Sequence, residues 1–132
     1  MVDLSEDRFD ELIYDDEKTV VTLFYRQGCF ACSETLKVLE ASLFPASIEL
    51  TQVNVDKENN LFRRFGLCGV PQVLFFQNGI HYATLSGIHT RQDYEDAVEK
   101  VLLGQPVKET GGRKILCSLS SCSLLPKAAN IQ

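Results

Sequence analysis

The sequence predicts an α/β fold in which a central mixed sheet carries helices on both faces, and three observations lead there. Thr19 to Tyr25, "TVVTLFY", is an unbroken β-branched and aromatic run without polar alternation, as expected of a strand covered on both sides at the centre of a sheet. Apolar residues on either side of that run recur at helical spacing, as in Cys32, Leu36, Leu39 and Leu43. Asn78-Gly79 between two apolar runs is a strong short hairpin signal, so part of the sheet is antiparallel.

Taken in order, a brief strand at Val2 to Leu4 precedes a helix capped by Ser5. Its first turns carry Glu6, Asp7 and Asp10 near the positive end of the helix dipole, and Phe9, Leu12 and Ile13 face inward. After the central strand, the helix bearing the Cys32 stripe runs until Pro45 closes it. "SIELTQVNVD" is a second strand, and "NNLFRRFG" a short helix ended by Gly66. "PQVLFFQNGIHYATLSG" forms the hairpin. Arg91 to Leu103 is an amphipathic helix with Tyr94, Val98, Val101 and Leu102 on one face. Alternating strands and helices, then a hairpin and a last helix, describe one layered α/β domain.

A chain of 132 residues with 45% hydrophobic content holds one domain with a core of its own. The boundary falls near Gly104, because "QPVKETGGRK" is polar and glycine-containing and "ILCSLSSCSLLPKAANIQ" is small and serine-rich. The domain is thus 1–104, and 105–132 is a C-terminal extension carrying Cys117 and Cys122. A net charge of −5 with scattered acids argues against a nucleic-acid partner, which needs clustered Lys and Arg. No apolar stretch reaches the roughly 18 residues that span a bilayer, and the acidic "MVDLSEDRFDEL" is unlike a secretory signal. The expectation is a cytoplasmic protein with no membrane partner.

Five cysteines are many for a reducing compartment, where paired thiols more often serve redox or metal chemistry than structural bridges. Cys29 and Cys32 stand three apart where the central strand gives way to a helix. Residues so spaced are neighbours on a helix, close enough for a reversible disulfide. The backbone N–H groups and dipole at the helix start favour a thiolate on Cys29, while Cys32, one turn in, is better hidden. That asymmetry makes Cys29 the attacking sulfur and Cys32 the resolving one. Two buried structural cysteines, or a metal pair, are the alternatives a bare C-x-x-C leaves open.

Over about residues 1–104 the chain resembles the thioredoxin family. The matching residues are Cys29 and Cys32, the "VNVD" strand ending at Asp56, "FGLCGVPQVLFFQNG" from Phe65 to Gly79, and Gly87 in "LSG". The resemblance implies a thioredoxin-like fold and a cis peptide bond at Val70-Pro71, lying against the active cysteines. A client strand could then pair with the Val70 backbone beside Cys29, with Gly28 and Phe30 flanking the attacking sulfur. The chain also departs from the family. Gly28-Cys29-Phe30-Ala31-Cys32 stands where W-C-G-P-C is usual, Leu23 where a buried aspartate is usual, and Gln52 where a lysine often partners it. Their joint absence points to a less polar environment behind Cys32.

Cys68, three residues before Pro71, is a candidate auxiliary redox residue beside the same edge. Cys117 and Cys122, in "CSLSSC", are two more: as coil, 105–116 reaches about 20 Å, enough to bring a tail dithiol back to Cys29 as a relay. A zinc or iron–sulfur site built from Cys29, Cys32, Cys117 and Cys122 is a second possibility. A third is a catalytically weak binding or adaptor protein that uses the Pro71 edge. His81 and His89 have no partner at ligand spacing and are expected on the surface. The reading that the residues favour is a thiol–disulfide oxidoreductase that reduces disulfides of client proteins. It needs no organic cofactor and no metal, and it draws electrons from a thioredoxin-reductase-type donor.

Overall fold

The computed structural model describes residues 1–15 and 18–108, together with the backbone of 117–118. The elements are β1 (Val2–Asp3), α1 (Glu6–Ile13), β2 (Thr19–Tyr25), α2 (Phe30–Ala41), β3 (Ile48–Asn54), α3 (Asn59–Arg64), β4 (Gly69–Val70), β5 (Gln72–Gln77), β6 (Ile80–Ser86), α4 (Arg91–Leu102) and β7 (Cys117–Ser118). Five strands form one sheet in the order β1-β3-β2-β5-β6. β1 and β2 run parallel to β3, and β5 runs antiparallel to β2 and β6. This is the thioredoxin-like architecture anticipated above.

β2 is central because nearly all of it is apolar or β-branched and both of its faces are covered. Val20 and Phe24 enter one core, where α1 and α3 bring Phe9, Ile13, Leu61 and Phe62. Val21 and Leu23 enter the other, with Leu39 of α2 and Tyr94, Ala97, Val98 and Val101 of α4. Burying each of the larger side chains contributes about 1.5–3 kcal/mol. In the first core Phe9 meets Phe24 and Phe76 edge-on, with ring centroids 6.3 and 5.3 Å apart. Between β2 and β3 the buried hydroxyls of Thr22 and Thr51 satisfy each other at 3.0 Å.

The β5–β6 hairpin turns on Asn78 and Gly79, both with positive φ (55° and 78°), as a two-residue turn of the primed type requires. Gly79 also donates its N–H to the Ile13 carbonyl at 2.8 Å. A Cβ there would lie 2.5 Å from the Tyr14 ring.

Four expectations need correction. α2 ends at Ala41, four residues short of Pro45, because Ser42 turns to extended backbone and its hydroxyl donates to the Val38 carbonyl at 2.8 Å. Leu43, placed on the inward stripe by its spacing, lies past the helix end and is 76% exposed. In α4 the buried stripe takes Ala97, and Leu102 at the helix end is 37% exposed. His89, expected on the surface, is 3% exposed: its ring bonds the Asp93 carboxylate at 3.1 Å and the Ser86 carbonyl at 3.2 Å.

Beside the main sheet, β4 and β7 form a separate antiparallel pair, with Gly69 opposite Ser118 and Val70 opposite Cys117. Val107 packs against the second core. Residues 109–116 and 119–132, Cys122 included, lie outside the described residues.

Candidate functional site

The site starts where β2 runs out. Gly28 takes φ = 80°, a left-handed conformation that side-chain-bearing residues rarely adopt, and this turns the chain from strand into helix. Cys29 then stands at the N-cap of α2 in extended conformation, and its Sγ accepts a hydrogen bond from the Cys32 N–H at 3.1 Å. An N-cap side chain is ordinarily a hydroxyl or carboxylate that satisfies an orphan N–H of the first turn. Here a sulfur takes that place. No acid occupies the first turn of α2, so the positive end of the helix dipole is left to Cys29.

From the other side comes β4. The Val70-Pro71 peptide is cis, and the Cys29 Sγ–H points at the Val70 carbonyl across 4.0 Å. Cys29, Cys32, Val70 and Pro71 are therefore brought together, with Gly28 and Phe30 around them. Phe30 stands 74% exposed beside the pair. Both cysteines are in the dithiol form. The expected contrast in exposure between them is missing: Cys29 is 4% and Cys32 3% exposed.

Behind Cys32 opens a cleft of about 380 Å³ lined by Leu23, Tyr25, Gly28, Cys32, Leu36 and Gln52 among others. Leu23 and Gln52 face each other in the β2–β3 register, so the two positions that depart from the family pattern share this cleft. No carboxylate lines it among the described residues. The Tyr25 hydroxyl donates to Asp3 Oδ1 at 2.8 Å, and its pKa is pushed up to about 12, first by burial and then by that bond to an acid. Tyr25 therefore keeps its proton at neutral pH. The cleft was not legible in the sequence, although the Leu23 and Gln52 departures marked where it lies.

The other sulfurs divide. Cys68 is half-buried, three residues from Pro71, and disulfide-bonded. The backbone at Cys117 lies opposite Val70. Among the described residues no three His, Cys, Asp or Glu side chains gather as a metal site. Elsewhere, His81 sits against Phe65 and Phe76 with centroids 5.5 and 5.3 Å away, and burial holds its pKa below the ordinary histidine value.

Comparison with known proteins bears on the fold and the family. The thioredoxin family model matches residues 1–100. The chain is 26% identical over 98 residues to a thioredoxin of Buchnera aphidicola, covering 73% of this chain and 90% of that one. It is 25% identical over 101 residues to a chloroplastic M-type thioredoxin of Pisum sativum, covering 75% of this chain but only 59% of the pea protein. A solved mutant thioredoxin from Halobacterium salinarum shares the fold with a TM-score of 0.68 at 19% identity, covering 83% of this chain and 93% of that one. No helix among the described residues is long and apolar enough to cross a membrane.

Proposed function

The chain belongs to the thioredoxin family, and from that premise we propose that it reduces disulfides of client proteins, with Cys29 as the attacking sulfur and Cys32 as the resolving one. The observation that carries this reading is the 3.1 Å bond from the Cys32 N–H to the Cys29 Sγ at the mouth of α2. A backbone donor is thus already in place for the negative charge that an attacking sulfur carries in thiol–disulfide exchange.

In the first step the Cys29 thiolate attacks one sulfur of a client disulfide. A Cys29–client bond forms, and the second client sulfur leaves as a thiolate that takes up a proton. Cys32 then loses its proton and attacks the Cys29 Sγ. The mixed disulfide breaks, the client leaves fully reduced, and two electrons have moved from the Cys29/Cys32 dithiol to the client. With Tyr25 holding its proton and no acid in the cleft, the Cys32 proton passes to solvent, for which about 380 Å³ is ample room at roughly 30 Å³ per water. The client is held as a strand on the Val70 backbone next to Pro71, while Phe30 supplies an apolar contact.

The exchange itself needs no organic cofactor and no metal. A thioredoxin-reductase-type protein restores the dithiol, and a reducing cytoplasm suits the cycle. Residues 1–104 carry the chemistry, and 105–132 is the extension.

The test is reduction of insulin disulfides by the full-length chain with a small dithiol as electron source. Wild type should outrun the dithiol alone, Cys29→Ser should not, and Cys32→Ser should accumulate a mixed disulfide through Cys29. A wild-type rate equal to the uncatalysed rate rejects the proposal.

A further inference from the structure

The cleft behind Cys32 holds more space than the loss of a proton requires. Protein interiors pack about as densely as organic crystals, with few voids bigger than a water, yet about 380 Å³ stays open among residues of β2, β3 and α2. Its floor is apolar, made by Leu23, which is 1% exposed, by Cys32 and by the half-buried Leu36. Waters over such a floor lack the two to four polar partners that hold a water in place, so an apolar group that displaces them gains affinity. The rim is polar and carries one sign of charge. Among the described residues Arg26 alone brings charge to the lining, and the amides of Gln27 and Gln52 line the same space.

Asp56 meets the Arg26 guanidinium at Nε across 3.5 Å, with the two side chains 35% and 53% exposed, a geometry in which an ion pair holds only weakly. That contact uses one edge of the guanidinium. The end formed by its two terminal nitrogens has the shape that grips a carboxylate through two parallel bonds. Size narrows the ligand further. A cavity of about 150 Å³ holds one benzene, and at the same filling this cleft takes roughly 15 non-hydrogen atoms, a two-ring acid rather than a nucleotide.

We propose that the cleft is a binding site for a small organic carboxylate, its apolar body lying on Leu23 and Leu36 and its carboxylate held by Arg26, with the Gln27 and Gln52 amides at the sides. Binding there needs no sulfur chemistry, so the site stands apart from the exchange proposed above. Affinity is modest, because solvent screens a guanidinium at the rim.

The probe is naphthoate, titrated into the isotope-labelled full-length chain and followed through the backbone amide signals, with naphthalenemethanol as its uncharged counterpart. The amides of Gln27, Gly28, Ser33 and Gln52 should shift together with a Kd of about 1 mM, the value that ordinary ligand efficiency gives a molecule of this size. Those of Tyr14 and Ile80, exposed apolar residues at the hairpin end of the sheet, should stay in place. Arg26→Gln should weaken naphthoate about fivefold to tenfold and leave naphthalenemethanol unchanged. Asp56→Asn, which removes the competing acid, should tighten naphthoate about twofold to fivefold. Gln52→Phe places a ring in the cleft opposite Leu23 and should weaken both probes at least about tenfold. The same spectra show whether each variant is folded. Equal binding of the acid and the alcohol with no response to Arg26→Gln overturns the inference. So do shifts centred on Tyr14 and Ile80 or on Phe30, full binding to Gln52→Phe, or no saturable shift with naphthoate up to about 10 mM. Should Arg26→Gln fail to fold, Asp56→Asn decides: naphthoate binding that is unchanged or weaker in that variant overturns the inference.

Discussion

Two helices of this protein start in nearly the same geometry and put it to different uses. At α4, Thr90 Oγ1 accepts from the Asp93 N–H at 3.1 Å, and the Asp93 carboxylate accepts from the Thr90 N–H at 3.1 Å, a reciprocal capping box. His89 adds a second bond to that carboxylate. At α2, Cys29 Sγ accepts from the Cys32 N–H at the same 3.1 Å, and no acid lies in the first turn of the helix. The α4 cap is electrostatically saturated. The α2 cap is a single polarisable sulfur, a weaker acceptor than the hydroxyl and carboxylate that share the α4 cap. Local stability and reactivity compete for the same backbone donors.

The sharpest way to separate the two uses is Cys29→Ser. Serine is a good cap but a poor nucleophile at this position, so the Tm should move little while insulin reduction drops by about a thousandfold or more. A large Tm loss would mean that the sulfur's packing, not its chemistry, is what the position requires. Next comes Thr90→Ala, which should cost about 1 kcal/mol in denaturant unfolding yet leave the alkylation rate of Cys29 unchanged. Coupling between the two would show that the caps are not independent.

Phe30→Glu supplies α2 with the first-turn acid it lacks. Competing for a dipole end worth about 0.3–1 kcal/mol, the new carboxylate should slow alkylation of Cys29 at neutral pH about twofold to fivefold, less so in high salt. Insensitivity to salt would point to the lost ring rather than the added charge.

The smallest effect is in the pH dependence of the α4 cap. Burial pushes the Asp93 carboxyl up, but the Thr90 backbone and hydroxyl donors and His89 together hold it below its ordinary value. An acid held low in the folded state contributes stability that is present above its unfolded pKa and lost as pH falls through the folded value. Asp93→Asn should therefore lower the Tm fully at pH 7, and its deficit against wild type should shrink once the pH drops below about 3.8. A deficit that stays constant into stronger acid would assign the box to neutral hydrogen bonding.

The parts of this molecule that were legible in the sequence are those whose cause is local. The apolar run of β2, the Asn78-Gly79 turn and the cysteine pair opening α2 each declare themselves within a few residues. Leu43 was misplaced because periodicity continues past a helix that Ser42 has already ended. The burial of His89 was missed although the Thr90-x-x-Asp93 capping pattern that anchors it was present. Two features had no local signal. The cleft behind Cys32 arises from Leu23 and Gln52 facing each other across two strands. The seating of 117–118 on 69–70 joins two-residue strands far apart in the chain, with no hydrophobic repeat to announce it.

Phe30 has a consequence for partner choice. A ring standing 74% exposed next to a nearly buried sulfur is an apolar patch at the mouth of α2. A folded partner whose cystine is rimmed by aliphatic groups blankets that ring and is held against the sulfur by up to about 1.5–3 kcal/mol, the worth of burying such a side chain in full. A small, strongly hydrated disulfide such as oxidised glutathione gains almost nothing there. In the proposed exchange, the entrance would thereby sort oxidants by the oiliness of their surroundings before any electron moves.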